Sequence, residues 1–592
     1  MNISKSKVRL FCRRYEAAIW LILIMVIAAA LRIKGLTFQS YWYDELFSAY
    51  ISNPAHSFYD VVALTLADVH PPLYQLAMWG SYRTFGYTEW AGRLPSMFAG
   101  IIAIPTILVL GRELFSRRAG LYAAALAAPN FYLVEFSQEA RSYAFLYLFC
   151  CLSFFYFMRV LRHESWLNVV LYIVATILLL YTHYFGFVLL IAQGVIFSVY
   201  LVLWHGRKRK LLTRAAVSVG VVLATIIPLV PIIIGHAGIQ EFWITQPQLV
   251  IAVDYFLMYF GSFWLAVFFA VLVFIALTFG IYRTPGGADH AWVRFGVIAL
   301  LLWIVIGFLL PWLRGLVGQP VITDRNTIML IPPIILLSAY GLTSIPHLLA
   351  QRVLGAFLLI MSIMYLVAGA DYYNSVKKNQ FREMAQSLVA YKPLLPVYTL
   401  KYNDTKYNVY FEQLGSALNA VDADLLEEKL NAGTAEPLFW LADGHRRTLV
   451  TDLEERFGLV QVALYKYRST AAELLVNPAR STAIAIEPAM IATAGGNWHS
   501  TGPVVWLNDD DQLLIALNET ARSNPARKVQ VDLLDFAGHV LETHQAKLGA
   551  MPSTLQFDPQ VAAGDAVRLL IRLPENEPEP GVWLIPGTRD NR

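Results

Sequence analysis

Residues 17–45 read AAIWLILIMVIAAALRIKGLTFQSYWYDE. An apolar run ends in two adjacent carboxylates, Asp44 and Glu45, with Tyr41, Trp42 and Tyr43 before them and Phe47 and Tyr50 after. Tyrosine and tryptophan concentrate where a bilayer meets water, so the pattern places the acidic pair at headgroup depth, just outside a first membrane span. Carboxylates there lose hydration and titrate abnormally, which suits acid/base chemistry on a lipid-borne substrate. The same residues also fit a plainer role, with Asp44 as the N-cap of a helix lying on the membrane.

Working outward, the 592-residue chain is 57% hydrophobic and only 15% charged. Soluble domains carry about 25% charged residues, so this is a polytopic helical membrane protein. Apolar runs near 17–33, 94–111, 119–134, 142–158, 167–182, 184–203, 214–235, 256–281, 294–313, 327–345 and 353–370 predict about eleven spans. The N-terminal arm, with Lys5, Lys7, Arg9, Arg13 and Arg14, reads as part of a retained anchor. Basic residues recur in every second loop: Arg112 to Arg118, Arg159 to Arg162, His205 to Lys210 with Arg214, and Arg283 to Arg294. The positive-inside rule puts these loops in the cytoplasm with the N-terminus. The other loops, 34–93, 135–141, the link at 183, 236–255 and 314–326, then face outward, as does the tail from 371. In the first of them, Ser57 to Ala67 and Tyr74 to Trp79 read as short amphipathic helices along the bilayer surface.

Three regions are expected: 1–375 spanning the membrane, 376–470 of α/β type, and 471–592 rich in strands. Val397 to Leu400, Leu438 to Leu441 and Val460 to Tyr465 read as strands, and Leu425 to Leu430 and Leu449 to Phe457 as helices. Val529 to Leu534, Val540 to Thr543 and Ala566 to Leu573 suggest a small β-sandwich. No cysteine follows Cys151, so the tail has no disulfide framework. Neither a Gly-x-Gly-x-x-Gly motif nor a P-loop occurs, which removes the usual nucleotide-binding readings. Carboxylates and histidines could hold a divalent metal, but no spacing demands one.

The outward loops hold the residues suited to chemistry. His70-Pro71-Pro72 offers a phosphate or metal ligand on a stiffened backbone, or simply a turn histidine. Ser137-Gln138-Glu139-Ala140-Arg141-Ser142-Tyr143 opens the fourth span, and the spacing of Glu139 and Tyr143 predicts one shared helix face. Charges at the edge of hydrocarbon are costly, which favours a functional reading of Glu139 and Arg141 over a helix-start cluster. Thr182-His183-Tyr184 makes a tight link between two spans. In Thr323-Asp324-Arg325-Asn326, Arg325 is suited to clamp phosphate bidentately, or to snorkel beside Asp324. His236, Glu241 and Trp243 mark a further outward loop with no assigned role.

Taken together, aromatic-Asp-Glu, His-Pro-Pro, Ser-Gln-Glu-Ala-Arg-x-Tyr, Thr-His-Tyr and a late Arg resemble bacterial GT-C glycosyltransferases over roughly residues 15–375. These are relatives of the protein O-mannosyltransferases and the aminoarabinose transferases. The resemblance implies a GT-C membrane domain that takes a sugar from a polyprenyl-phosphate carrier on the periplasmic face of the bacterial inner membrane. It implies Asp44 as general base or acceptor-orienting residue with Glu45 in support, Glu139 or Arg141 lining the donor sugar, and Tyr143 and His183 among the residues that bind the donor and its lipid phosphate. Arg325 and His70 would hold the lipid phosphate. The acceptor would be a glycan, lipid or protein hydroxyl, and nucleic acid is not expected as a partner. The chain departs from the aminoarabinose pattern at Phe47, where an Arg is usual, and at His70, where a Lys is usual. A late Arg-Tyr is replaced by Arg325-Asn326. Two other functions remain compatible with the sequence. One is a flippase for polyprenyl-linked sugars, although its spans are nearly free of mid-membrane charge. The other is an assembly protein whose tail binds envelope glycans.

Overall fold

A computed structural model describes residues 5–443 except 69, 205–207, 238–243, 245, 281–287, 392–393 and 401–402, and beyond 443 it describes 452–453, 455–477, 479 and the strands given below. Of the sequence features above, His205 to Arg207, Glu241, Trp243, Arg283 and part of Leu449 to Phe457 lie outside the described residues. The chain divides into two compact units, Met1–Gln39 with Ile51–Ser375, and Ser40–Tyr50 with Val376–Arg592.

The first unit is helical. Its elements are α1 (Lys5–Ile33), α3 (Phe58–Ala67), α4 (Leu73–Phe85), α5 (Glu89–Leu114), α6 (Arg117–Ala127), α7 (Phe131–Ser137), α8 (Tyr143–Arg162), α9 (Trp166–Thr182) and α10 (Gly186–Leu203), followed by α11 (Lys208–Ile226), α12 (Val230–Ala237), α13 (Ile251–Phe260), α14 (Phe263–Ile275), α15 (Ala288–Val317), α16 (Ile331–Ser344) and α17 (Leu348–Met364). The short α2 (Tyr43–Ile51) falls almost wholly in the other unit. Among the described residues, 8 helices are long and apolar enough to cross a membrane, and four shorter apolar helices include Ala18–Ile33 and Trp166–Thr182.

Two expected spans are interrupted. The run 119–134 splits into α6 and α7, because the Asn130 side chain accepts the Leu133 N–H at 3.0 Å and so caps a new helix. The run 256–281 is preceded and cut by Gly261, whose φ of +72 closes α13; a Cβ there would lie 2.3 Å from Tyr365 Cε1. Hydropathy averages over both breaks. Helices α3 and α4 occupy the two segments read as amphipathic helices. Ser57 and Asp60 form a reciprocal capping box at the start of α3, a device that stabilises by about 1 kcal/mol.

The core of this unit gathers Ile107 and Leu110 of α5, Ala123 of α6, Phe154 of α8, Trp303 of α15 and Leu336 of α16, all fully buried. α5 and α6 approach so closely that a Cβ on Gly120 would meet the Leu108 carbonyl oxygen at 2.3 Å. Only glycine permits that contact.

The second unit begins with α18 (Phe381–Ala390), β1 (Val397–Thr399), α19 (Asp404–Gln413), β2 (Ala420–Asp422), α20 (Ala423–Asn431), β3 (Leu438–Asp443), β4 (Val460–Tyr467) and β5 (Thr470–Val476). These strands form one mixed sheet ordered β2-β1-β3-β5-β4. β1 is parallel to both β2 and β3, while β5 runs antiparallel to β3 and β4. Tyr398, Leu426, Phe439, Leu441 and Leu475 form its core.

The strands that follow are β6 (Thr482–Ile484), β7 (Ala492–Ala494), β8 (Asn497–Trp506), β9 (Gln512–Ala516), β10 (Arg527–Leu534), β11 (Val540–Leu548), β12 (Ser553–Gln556), β13 (Ala566–Pro574) and β14 (Gly581–Ile585). They make two antiparallel sheets, β11-β10-β13-β8-β7 and β12-β9-β14-β6.

Candidate functional site

Four segments between helices of the first unit converge on one polar cluster. His70, between α3 and α4, bonds through Nδ1 to Asp68 at 2.7 Å and through Nε2 to Arg141 Nη2 at 3.0 Å. A guanidinium only donates, so His70 Nε2 accepts and Nδ1–H donates to the Asp68 carboxylate. One neutral tautomer is thereby fixed, and with it the direction of Arg141. The backbone of Arg141 is pinned as well. Its carbonyl accepts from Ser96 of α5, whose hydroxyl meets that of Tyr74 in α4, each at 2.9 Å. Arg141 is itself buried, and its guanidinium lies 5.9 Å from the Tyr143 ring.

His183 completes the cluster. It ends α9, is buried, and its ring lies 6.2 Å from that of His70 and 6.1 Å from that of Tyr143. The Phe185 N–H donates to its Nδ1 at 3.2 Å. Burial lowers the imidazole to about 3, helped by the charge of Arg141, while a side-chain bond to Asn326 opposes the shift. That bond brings in the 323–327 turn. There Asn326 donates to the Val321 carbonyl at 3.1 Å, and Asp324 accepts from the Tyr132 hydroxyl at 3.3 Å. Arg325 sits next to both, half-buried, before a 3-10 turn at Asn326–Leu330.

Glu139 and Tyr143 do not share a helix face, contrary to the expectation from their spacing. The helix stops at Ser137 and restarts at Tyr143, so Glu139 lies in the break. The break persists because the Gln138 amide donates to the carbonyls of Arg32 and Lys34 at 2.8 and 2.7 Å. These bonds satisfy carbonyls at the C-terminal end of α1 and tether the break to it. Glu139 is buried. Together with Glu135, its charge helps burial push the Tyr372 phenol well up.

Asp44 and Glu45 belong to the second unit, and there the two acids differ. Glu45 is fully buried and pairs with Lys378 Nζ at 2.9 Å. It also accepts the Trp42 N–H at 3.4 Å, so Glu45 rather than Asp44 serves the start of α2. Asp44 stands in the first turn of that helix, and its backbone carbonyl accepts from Ser48 at 3.0 Å. The segment is fastened within its unit. Tyr41 N–H donates to the Tyr410 hydroxyl at 2.6 Å, the Ser40 hydroxyl donates to the Asn379 carbonyl, and Tyr43 packs edge-on to Phe381 at 5.2 Å.

Sequence reasoning missed several residues that hold these parts. Arg32, 1% exposed, donates to the Ala128 carbonyl at 2.8 Å and to Ser137 Oγ at 3.1 Å, tying α1 to α6 and α7. Arg93, also 1% exposed, donates to the carbonyls of Leu36 and Gln39, each at 2.8 Å. Lone basic residues inside apolar runs were the available signal, because such charges are tolerated only with partners. Asp68, Asn326, Lys378 and Lys406 carried no signal of their own. Among the described residues, no three His, Cys, Asp or Glu side chains group as metal ligands.

The fold has known counterparts. The structure of ArnT from Cupriavidus metallidurans in the apo state matches with a TM-score of 0.55 at 14% identity, covering 78% of this chain and 98% of that one. ArnT from the same organism bound to undecaprenyl phosphate matches with a TM-score of 0.53 at 15% identity, over 77% and 98%. The chain has the GT-C fold. Within it, residues 69–234 match the sequence model of the dolichyl-phosphate-mannose-protein mannosyltransferase family. That stretch of the GT-C domain includes His70, the Glu139–Tyr143 segment and His183. No curated protein is significantly similar in sequence.

Proposed function

We propose that the chain is a membrane glycosyltransferase that moves a sugar from a polyprenyl-phosphate carrier to an acceptor hydroxyl by a single inverting displacement. The observation that carries this reading is the Asp68–His70–Arg141 relay. It fixes a guanidinium beside His183 and the Arg325 turn, within a fold that in ArnT binds undecaprenyl phosphate. A directed, buried cation is what a departing phosphate requires.

In the proposed reaction the acceptor oxygen attacks the anomeric carbon as the bond from that carbon to the phosphate oxygen breaks. Asp44 takes the acceptor proton. Arg141 and Arg325 stabilise the charge growing on the lipid phosphate, and His70 directs Arg141. Glu139, Tyr143 and His183 line the sugar. Glu45 is committed to Lys378 and acts on α2 rather than on substrate. The single displacement needs no glycosyl-enzyme intermediate, unlike the retaining route. The pattern of basic loops supports a reading in which this chemistry lies on the outward, periplasmic face of a bacterial inner membrane.

The test is incubation of the purified full-length protein in lipid with a panel of polyprenyl-phosphate hexoses and pentoses. One donor should be consumed, and Asp44→Asn should slow its consumption by about 10²-fold or more. No consumption of any donor, or an Asp44→Asn variant as active as wild type, contradicts the proposal.

A further inference from the structure

The acidic segment is fastened by lysines. Lys378 precedes α18 and neutralises the fully buried Glu45. Lys406 projects from α19 and donates from its ammonium to Asn403 Oδ1 at 2.8 Å. Its ammonium lies 3.9 Å from the centroid of the Tyr43 ring, the residue immediately before Asp44. At that distance a cation is bound by the ring face. Asp44 is within electrostatic reach of the same ammonium.

We propose that Lys406 is a positioning residue of the transfer reaction, supplied by the α/β region, which holds the direction of Asp44 through its seat on Tyr43. This rests on the reading of Asp44 as the base. It also makes the α/β region part of the catalytic apparatus rather than an appended glycan-binding module. With Tyr43 seated on a fixed cation the first turn of α2 is held in place and Asp44 stays aimed, whereas an untethered turn is free to move.

The groups acting on Lys406 are Asp404 of its own helix and Asp44 of α2. Burial lowers the ammonium to about 8, against the upward pull of those two carboxylates. Lys406 therefore loses its charge within the range where an enzyme can be assayed.

The experiment compares full-length wild type, Lys406→Met and Lys406→Arg across pH with one active donor. Wild type should show an alkaline limb near pH 8. Lys406→Met should lose about tenfold or more in kcat with little change in donor KM. Lys406→Arg should keep most of kcat and move the alkaline limb up by at least about one unit, because guanidinium does not deprotonate there. A Lys406→Met variant with wild-type kcat and profile overturns the proposal. So does a Lys406→Arg variant whose limb stays near pH 8, and that arm stands even where Lys406→Met fails to fold. Asp44→Asn, run in parallel, separates the two claims. If it is fully active, the base reading fails. If it is inactive while Lys406→Met behaves as wild type, only the role of Lys406 fails.

Discussion

At His70 and His183 two imidazoles 6.2 Å apart are kept neutral by different means. His70 is neutral because Arg141 donates to it. His183 is neutral because it is buried, and it is lowered to about 3. The second case has a consequence for stability. An unfolded imidazole takes a proton below about pH 6.5. Folded His183 does not do so until about 3. Its contribution is therefore complete above the unfolded value and is lost as pH falls between the two. Melting of the purified protein at pH 7 and pH 5 should show a larger acid loss in wild type than in His183→Gln. Equal losses would contradict the assignment. His70, Arg141, His183 and Arg325 were legible in the sequence because polar side chains stand out in an apolar chain. Asp68 and Asn326, which orient them, were not. Their roles depend on which neighbours the fold supplies, and a carboxylate or an amide in a loop looks the same with or without those neighbours.

At the scale of elements, the breaks matter more than the helices. The 138–142 break presents Glu139 and Arg141 only because Gln138 satisfies carbonyls of the α1 terminus and Ser96 holds the Arg141 carbonyl. Gln138→Ala leaves buried carbonyls without that amide and should cost about 1–3 kcal/mol of stability. It should also raise donor KM, as Arg141 loses its fixed place. Unchanged melting and unchanged KM would show that the break is held by other means. Hydropathy located nearly all the long helices, since a span is a composition signal. It missed the interruptions at Asn130, Gln138 and Gly261, because one capping side chain or one left-handed glycine barely alters a windowed average. The same limit hid α18 and α19, whose apolar positions are few and whose packing is supplied by α2 and the mixed sheet.

For the whole molecule, Ser40–Tyr50 is grouped with the chain beyond Val376 rather than with the membrane helices that flank it in sequence. No reading of local pattern finds that, because the partners Lys378, Phe381 and Tyr410 lie more than three hundred residues away in the chain. The consequence is that the second unit cannot be trimmed freely. Removing Lys378 alone would leave Glu45 buried without its cation, a loss of about 3–5 kcal/mol. The proposed transfer depends on a cation aimed at the lipid phosphate. Its most direct measurement is the rate at which labelled sugar leaves its polyprenyl-phosphate carrier, in wild type and in Arg141→Met, at saturating acceptor. The predicted result is release by wild type and a loss of about 10²-fold in the variant. Equal rates in the two proteins would contradict the account.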